Sequence, residues 1–329
     1  MSMFARRSFL IGAALAPLAP APAHAQASST QVWPARPVML IIPFPAGGAM
    51  DLLGRGVAQD LADKLGQQFV VDNRAGAAGN IGAMAAAKAS PDGYTILMAG
   101  AASLALNKFM FSNMPYDPET ELTPIVILSR LPHIFVVNAK VEAKTLKELV
   151  DYAKTNPGKL SAGVPGVGTT AHITLEAFMA ETGAKMTVVP YRSEPQMLTD
   201  LVGGQLDVAC TLATSPGPHV QAGRLRALAV TSATRTRQLP DVPTVEQAGF
   251  PGFEATAWFA LAVPTGTPAD IIAKINAAAN AFIRSAKGEE ELSKLDSLPA
   301  GGTPEETKAF IAAEVRKWAP IIKAAKIQI

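Results

Sequence analysis

Short apolar runs alternate with segments of helical periodicity along most of this 329-residue chain. The first run, Val38–Ile42, is apolar throughout, which is typical of a strand buried on both faces. The segment that follows it, up to Leu65, has apolar residues mostly four positions apart, which is the spacing of a helix. Because this alternation continues to Val263, we predict an α/β architecture with mostly parallel sheets.

Further strands are predicted where a short apolar run lies between turn residues: 69–71, 94–99, 125–128, 134–137, 160–164, 186–189, 206–211, 225–231 and 259–263. Helices are predicted in the periodic segments 145–155, 170–182, 195–202, 268–285 and 304–325, and a loop with a tightly packed helix in 75–89. Thr145 precedes the first of these helices with Glu148 three residues later, so a capping box is expected there.

The first 25 residues have the layout of an export signal. Arg6 and Arg7 precede a short apolar run at 9–18, and a small-x-small cleavage site ends at Ala25. The two arginines with the Ser-Phe-Leu that follows also fit a twin-arginine signal, the alternative being an ordinary Sec signal. We therefore expect a periplasmic protein that is cleaved near Ala25.

Charge and cysteine content narrow the class of protein further. The chain has 29 basic and 27 acidic residues, and Arg6 and Arg7 of the signal account for the excess. A balanced mature chain argues against nucleic acid or an anionic membrane surface as the main partner. Cys210 is the only cysteine, so no internal disulfide can form. No later stretch approaches the roughly 18 unbroken apolar residues of a membrane span.

The segment 43–51 joins the first predicted strand to the first predicted helix and contains Gly47 and Gly48. Glycine allows the backbone to turn sharply and to approach a ligand closely. The first N–H groups of the helix lack internal partners and carry partial positive charge, so they can hold a carboxylate. A plain strand-to-helix connection is the alternative. The segment contains no dinucleotide fingerprint.

A second glycine-rich segment, 164–172, also joins a strand to a helix. The hydroxyl groups of Thr169 and Thr170 can cap the helix or bind an anion. A phosphate-binding loop would place a lysine before the hydroxyl residue, and none is present. His172, just inside the helix, is either a structural histidine or a ligand contact.

A third segment, 99–103, consists of small residues after a strand. Small side chains leave room for a ligand, and Ser103 offers a hydroxyl group. A tight packing turn explains the same residues equally well.

A search for catalytic or metal-binding motifs finds little. The sequence contains neither a G-x-S-x-G elbow nor an H-E-x-x-H motif. No metal-ligand spacing relates the four histidines, His24, His133, His172 and His219, so neither a metal nor a cofactor is predicted. Cys210 lies in an apolar run and is interpreted as a core residue. An enzyme is therefore unsupported, although not excluded.

Ordered matches over nearly the whole mature chain carry a resemblance to a known family. They are the residues at 43–48 with Asp51, 71–76, 91–95, 115–117, 168–169 with His172, 189–191, 200–204, 225–231 and 239–244. In these motifs the chain resembles the Bug/TctC family, the extracytoplasmic solute receptors of tripartite tricarboxylate transporters. The number of matches in order makes this signal stronger than any single glycine loop.

The resemblance implies a type II periplasmic-binding-protein fold, in which two α/β lobes enclose the ligand in a cleft. Two segments would cross between the lobes, near residues 130 and 255. Lobe one would comprise residues 30–129 and 256–329, and lobe two residues 130–255.

The resemblance also implies a set of ligand-binding residues. Backbone N–H groups of the first loop would hold one carboxylate, with contributions from Phe44, Ala46, Gly47, Gly48 and nearby Asp51. Around them would lie Ala102 and Ser103 of lobe one and Gly168, Thr169, Thr170 and His172 of lobe two. Thr211 stands where the family commonly has an aspartate facing the cleft. Its lack of charge favours a ligand with a second carboxylate or a neutral tail over one with an amino group.

The function implied is capture of a small organic carboxylate and its delivery, by a monomeric receptor, to membrane permease subunits. A co-receptor feeding a two-component system is one alternative. A periplasmic enzyme using Asp51 and His172 is another. Citrate, a four- to six-carbon dicarboxylate, an aromatic acid and an amino acid all remain open as ligands.

Overall fold

The computed structural model describes residues 33–329, so the predicted export signal lies outside the described residues. The strands are β1 (Val38–Ile42), β2 (Phe69–Asn73), β3 (Thr95–Gly100), β4 (Leu122–Asn138), β5 (Ser161–Val164), β6 (Thr187–Pro190), β7 (Val208–Leu212), β8 (Leu225–Val230), β9 (Thr256–Pro264) and β10 (Leu298–Gly301). The helices are α1 (Ala49–Leu65), α2 (Asn80–Ala87), α3 (Leu146–Thr155), α4 (Thr170–Thr182), α5 (Glu194–Gly203), α6 (Gly217–Gln221), α7 (Ala269–Ile283), α8 (Ala286–Lys294) and α9 (Pro304–Ala324). No helix in this range is long and apolar enough to cross a membrane.

The strands form one sheet with the order β2-β1-β3-β9-β4-β7-β5-β6, and β8 and β10 also pair with β4. Strand β4 is shared between two halves of the sheet. Its first part pairs with β9 and β10, and its second part pairs with β7 and β8. The mixed α/β fold with a type II arrangement agrees with the sequence prediction.

The prediction of mostly parallel sheets is wrong. Parallel pairs occur only within each half, between β1 and its neighbours β2 and β3 and between β5 and its neighbours β6 and β7. The antiparallel pairs β3–β9, β4–β9, β4–β10, β4–β7 and β4–β8 outnumber them. The reason is that the long strands β4 and β9, which link the halves, run against the strands that they meet.

Apolar side chains cover both faces of the sheet. Leu40 and Ile42 of β1 pack with α1 and α7 on one face, whereas Ile41 belongs to the cluster on the other face. Strand β1 is therefore buried on both faces, as its unbroken apolar run predicts. Each fully buried side chain of this kind contributes about 1.5–3 kcal/mol to stability. In the second half, Phe135 packs against Phe178 of α4 with ring centroids 4.6 Å apart.

The N-terminus of α3 differs in one detail from the expected capping box. Thr145 is the N-cap, and its hydroxyl oxygen accepts the Glu148 N–H at 3.2 Å, as predicted. The Glu148 carboxylate, however, accepts from the N–H of Lys144 at 2.7 Å, one residue before the cap. A reciprocal capping box instead starts α9, between Thr303 and Glu306.

Candidate functional site

The loop at 43–48 leads from β1 into α1 and is exposed from residue 45 onward. Gly47 has a φ of +85°, a conformation that favours glycine. Gly48 is the N-cap of α1 without a side-chain cap, and the first helical bond runs from Leu52 N–H to its carbonyl oxygen. The N–H groups of Gly48, Ala49 and Met50 therefore precede the helical ladder and favour an anion at this position.

Asp51 points into this loop rather than out of it. Its side chain is 2% exposed and accepts from Gly47 N–H at 2.9 Å, Arg55 Nε at 3.0 Å and Asn73 Nδ2 at 2.9 Å. Burial alone raises the pKa of this carboxyl group, but the hydrogen bonds from Arg55, Gly47 and Asn73 together outweigh burial and lower its pKa. Asp51 is therefore an internal anchor of the loop, and the Gly47 N–H is already occupied.

The end of β2 and the loop that follows it lie against the loop at 43–48. Asn73 Nδ2 donates to the carbonyl oxygen of Phe44 at 3.1 Å. A Cβ on Gly79 would lie 3.4 Å from the Phe44 ring, so the two loops are in contact. Adjacent parallel strands bring their carboxyl ends together in this way, and ligands of α/β proteins bind at such edges.

The small residues after β3 form a tight turn beside the first helix. Residues 102–106 make a π-helical turn, in which Ala102 is half-buried and Ser103 is buried. The Ser103 hydroxyl lies 3.3 Å from the N–H and 3.2 Å from the carbonyl oxygen of Gly100. A Cβ on Gly100 would be 3.1 Å from the end of the Met50 side chain. The turn therefore borders the start of α1, while its hydroxyl bonds internally.

The second glycine-rich loop is organised by its own side chains. Gly168, with a φ of +72°, donates its N–H to Nδ1 of His172 at 3.1 Å. Thr169 is the N-cap of α4; its hydroxyl accepts the His172 N–H at 3.3 Å and donates to the carbonyl oxygen of Gly166 at 3.0 Å. Both side chains shape the loop, and His172 stays buried.

Thr170 contacts His133, a histidine to which the sequence pattern assigned no role. Its hydroxyl lies 3.0 Å from Nε2 of His133, and the Thr174 hydroxyl lies 3.3 Å from Nδ1 of the same ring. Burial lowers the pKa of His133 to about 4, against a smaller opposing effect of a hydrogen bond with Ala255. His133 therefore joins β4 to the first turns of α4 as a neutral imidazole. Nothing in its apolar sequence surroundings indicates this role.

Thr211 lies in the interior of β7 and pairs with Ile134 of β4. Its hydroxyl donates to the carboxylate of Glu194 at the start of α5. A carboxylate therefore does lie beside Thr211, and the ligand preference drawn from the missing aspartate stays a prediction. The carboxylate comes from a different element, 17 residues earlier in the chain.

The two halves of the sheet approach one another where the turn after β3 faces the loop before α4. A cavity of about 10 Å³ separates Ala101 and Leu106 from the first turns of α4, with Glu314 and Trp318 of α9 beside it. A Cβ on Gly168 would lie 2.8 Å from the Met110 sulfur, which belongs to the first half. Thr170 and the turn after β3 thus face one another across a narrow gap.

Three larger cavities in the part of the chain that the structure describes contain none of the predicted site residues; one of them, of about 580 Å³, lies around Lys108 and Tyr116. A second, of about 610 Å³, lies at the far end of β4, next to Asn138 and Tyr152, and the third, of about 370 Å³, lies beside α8. Within residues 33–329, no three His, Cys, Asp or Glu side chains are grouped to hold a metal ion.

Comparison with known proteins relates the chain to one family. The family model described as the tripartite tricarboxylate transporter family receptor matches residues 53–327. The BugT protein of Bordetella pertussis is 37% identical over 298 residues, which are 90% of this chain and 91% of BugT.

Solved structures give the same relation. Rpa4515 of R. palustris, solved with adipate, has a TM-score of 0.79 and 36% identity and covers 90% of this chain and 99% of its own. The periplasmic binding protein BugD has a TM-score of 0.75 and 31% identity, over 90% and 99% of the two chains. MatC of Rhodopseudomonas palustris, with bound malate, has a TM-score of 0.75 and 28% identity, over 88% and 100%.

Proposed function

The chain belongs to the tripartite tricarboxylate transporter receptor family, which includes the Bug proteins, and from this premise we propose that it captures a small organic carboxylate in the periplasm. The observation that carries the proposal is the start of α1. There, the N–H groups of Gly48, Ala49 and Met50 precede the first helical bond where an exposed loop enters the helix. Anions are stabilised at such a position by both hydrogen bonds and the helix dipole.

The proposed site lies between the two halves of the sheet. One ligand carboxylate would rest on the N–H groups from Gly48 onward, since that of Gly47 is bonded to Asp51. Phe44, Ala46 and Ala102 would complete this side. The α4 loop, from Gly168 to Thr170, would close over the ligand from the second half. In this proposal, residues 30–129 with 256–329 move as one lobe and residues 130–255 as the other.

Two relatives support the proposed ligand class. Rpa4515 was solved with adipate and MatC with malate, so a four- to six-carbon dicarboxylate is the first candidate. The receptor would deliver it, as a monomer, to the membrane permease subunits of a tripartite transporter. In this proposal the receptor closes on the ligand, and the closed form docks on the permease. Closure removes water and strengthens each hydrogen bond to the anion.

Calorimetry and thermal unfolding with adipate, malate, citrate, benzoate and aspartate test the ligand class. A ligand at about 100 times its Kd adds roughly 2.7 kcal/mol to the free energy of unfolding, which is easily detected as a rise in Tm. Malate and aspartate form a matched pair that differs in a hydroxyl and an amino group. Tighter binding of aspartate would point to the Glu194 carboxylate, and binding of none of the five would refute the proposal.

The location of the site is tested at Gly47. An alanine there would meet no atom within 4 Å, so its cost is the strain of a φ of +85° alone. We expect Gly47→Ala to raise the Kd about tenfold, because distorting the loop misaligns the donors that follow it. Gly66→Ala is the matched control: its φ is +73°, it also has no neighbour within 4 Å, and it lies at the other end of α1. Equal affinities for the two variants would show that the ligand does not bind at this loop.

A further inference from the structure

Asn73 has no part in the proposed ligand contacts, yet it lies beside the start of the loop at residues 43–48, which we call the ligand loop. It is the last residue of β2, and in the parallel pairing it is opposite Ile42, the last residue of β1. The next residue, Arg74, donates its N–H to the carbonyl oxygen of Ile42 at 2.8 Å. The two strands therefore end together, and the Asn73 side chain faces the connection from β1 to α1.

The Asn73 amide contacts three separate parts of this connection. Its Nδ2 donates to the Phe44 carbonyl oxygen at 3.1 Å and to Asp51 Oδ1 at 2.9 Å. Its Oδ1 accepts from Arg55 at 3.1 Å. One side chain thus holds the start of the loop, the first turn of α1 and its second turn.

The contact with Asp51 extends this restraint to the middle of the loop. While Asp51 Oδ1 is bonded to Asn73, Oδ2 accepts from Gly47 N–H and Arg55 Nε. Without the Asn73 donor, Asp51 Oδ1 would be a buried carboxylate oxygen with one partner fewer, which favours movement of the carboxylate toward water. The bond to Gly47 would then be lost as well.

We propose that Asn73 is a positioning residue for the ligand loop. By holding Phe44 and Asp51 it turns the Gly47 N–H inward and leaves the N–H groups from Gly48 to Met50 directed at the ligand. This inference rests on the proposed carboxylate function.

The amide group is required because both of its Nδ2 partners are acceptors, a carbonyl and a carboxylate. An aspartate at 73 has the same shape but no donor when ionised. It would also add a second negative charge beside the anion site, where Arg55 balances only that of Asp51.

Asn73→Ala and Asn73→Asp test this role of Asn73, and Asn276→Ala is the matched control. Asn276 also donates through Nδ2 to two acceptors, here the backbone carbonyl oxygens of Ile125 at 3.0 Å and Gly302 at 2.8 Å, and none of its hydrogen bonds reaches the ligand loop. With adipate or malate as the probe, we expect both Asn73 variants to raise the Kd about tenfold or more, and Asn73→Asp at least as much as Asn73→Ala. Asn276→Ala should lower the Tm and leave the Kd within about twofold.

Hydrogen–deuterium exchange of the ligand-free proteins gives a second measurement that needs no ligand. In both Asn73 variants the Gly47 amide, which loses its bond to Asp51, should exchange faster than in the wild type, while its exchange should be unchanged in Asn276→Ala. If the wild type binds neither dicarboxylate, the proposed ligand class is wrong and the exchange rates alone decide the role of Asn73. Unchanged exchange in the Asn73 variants, or an equal loss of affinity in Asn276→Ala, would overturn the inference.

Discussion

His133 shows how one buried side chain can make the stability of the whole protein depend on pH. The ring is enclosed between the hydroxyl groups of Thr170 and Thr174. Its backbone is bonded to Thr231, whose hydroxyl accepts the His133 N–H at 2.9 Å. A proton added to this ring would be a charge in the interior without a carboxylate among these bonded partners.

We therefore predict that stability falls as the pH is lowered through the range in which only the unfolded state binds this proton. Burial lowers the folded pKa of His133 from 6.5 to about 4, so its contribution is complete above pH 6.5 and is lost between pH 6.5 and pH 4. The loss amounts to about 3 kcal/mol. Urea unfolding at pH 7 and pH 4.5 should show a smaller difference for His133→Gln than for the wild type. Parallel pH profiles would show that the histidine has no such effect.

At the scale of single residues, the sequence predicts which residues belong to the loops but not which partners their side chains bond. Gly47, Gly48 and Gly168 could be placed at strand-to-helix turns because glycine and proline mark such turns locally. The inward position of Asp51 depends on Asn73, 22 residues away, and the charge at Thr211 depends on Glu194. Such partners are fixed only when elements pack, so no local pattern reveals them.

At the scale of elements, α9 is tied to β9 by a single carboxylate. Oε2 of Glu314 accepts from the indole N–H of Trp258 on β9 at 2.9 Å and from that of Trp318 on α9 at 3.0 Å. Both indoles are buried, and Glu314 and Trp318 border the gap between the two halves. The carboxylate thereby joins α9 to β9 beside this gap.

Removing this acceptor should destabilise the fold and change the surroundings of both tryptophans. We predict that Glu314→Ala lowers the free energy of unfolding by about 1–3 kcal/mol, because two buried N–H groups lose their partner. Glu314→Gln keeps an oxygen at the same place and should lose less. Urea unfolding followed by tryptophan fluorescence measures both effects. An alanine variant as stable as the glutamine variant would contradict the prediction.

The elements themselves follow the sequence where their apolar pattern is strong. Strand β1 has the predicted bounds, since its run ends at a proline-rich turn. Strand β4, however, is one strand of 17 residues instead of two short ones, because residues 129–132 pair with β9 despite their polar and proline content. Helix α8 was not predicted; it buries only Gly288 and Leu292, so it has almost no apolar pattern. Strand β10 was also missed, because it pairs as a short edge with β4.

At the scale of the whole molecule, the alternation of strand and helix was sufficient to predict the fold class. The antiparallel link between the halves was not predictable, because it joins Ile127 to Ala260 and Phe135 to Cys210, far apart in the chain. The division into moving lobes remains a prediction. Its physical consequence is that contacts between the halves, and not only ligand contacts, set the apparent affinity.

Such contacts exist where the loop after β8 meets the connection from α8 to β10. Oδ1 of Asp296 accepts the N–H groups of Arg237 at 3.0 Å and Gln238 at 3.3 Å. Arg237 also reaches the Glu289 carboxylate at 3.2 Å. Asp296 is buried with a φ of +45°, a conformation that asparagine and glycine tolerate well. The Asp296 side chain and the Arg237–Glu289 ion pair therefore connect the second half to the first.

We predict that Asp296→Gly loosens the two halves without straining the backbone. The ligand-free protein should then have a larger radius of gyration in small-angle scattering, and its Kd for adipate or malate should rise several-fold, because a smaller fraction of molecules is ready to close. Asp296→Asn keeps both the Oδ1 acceptor and the tolerance for positive φ, so it should resemble the wild type in both measurements. A lower Kd in Asp296→Gly would mean that the contact instead opposes closure, and an unchanged radius and Kd would mean that the halves do not move about this contact.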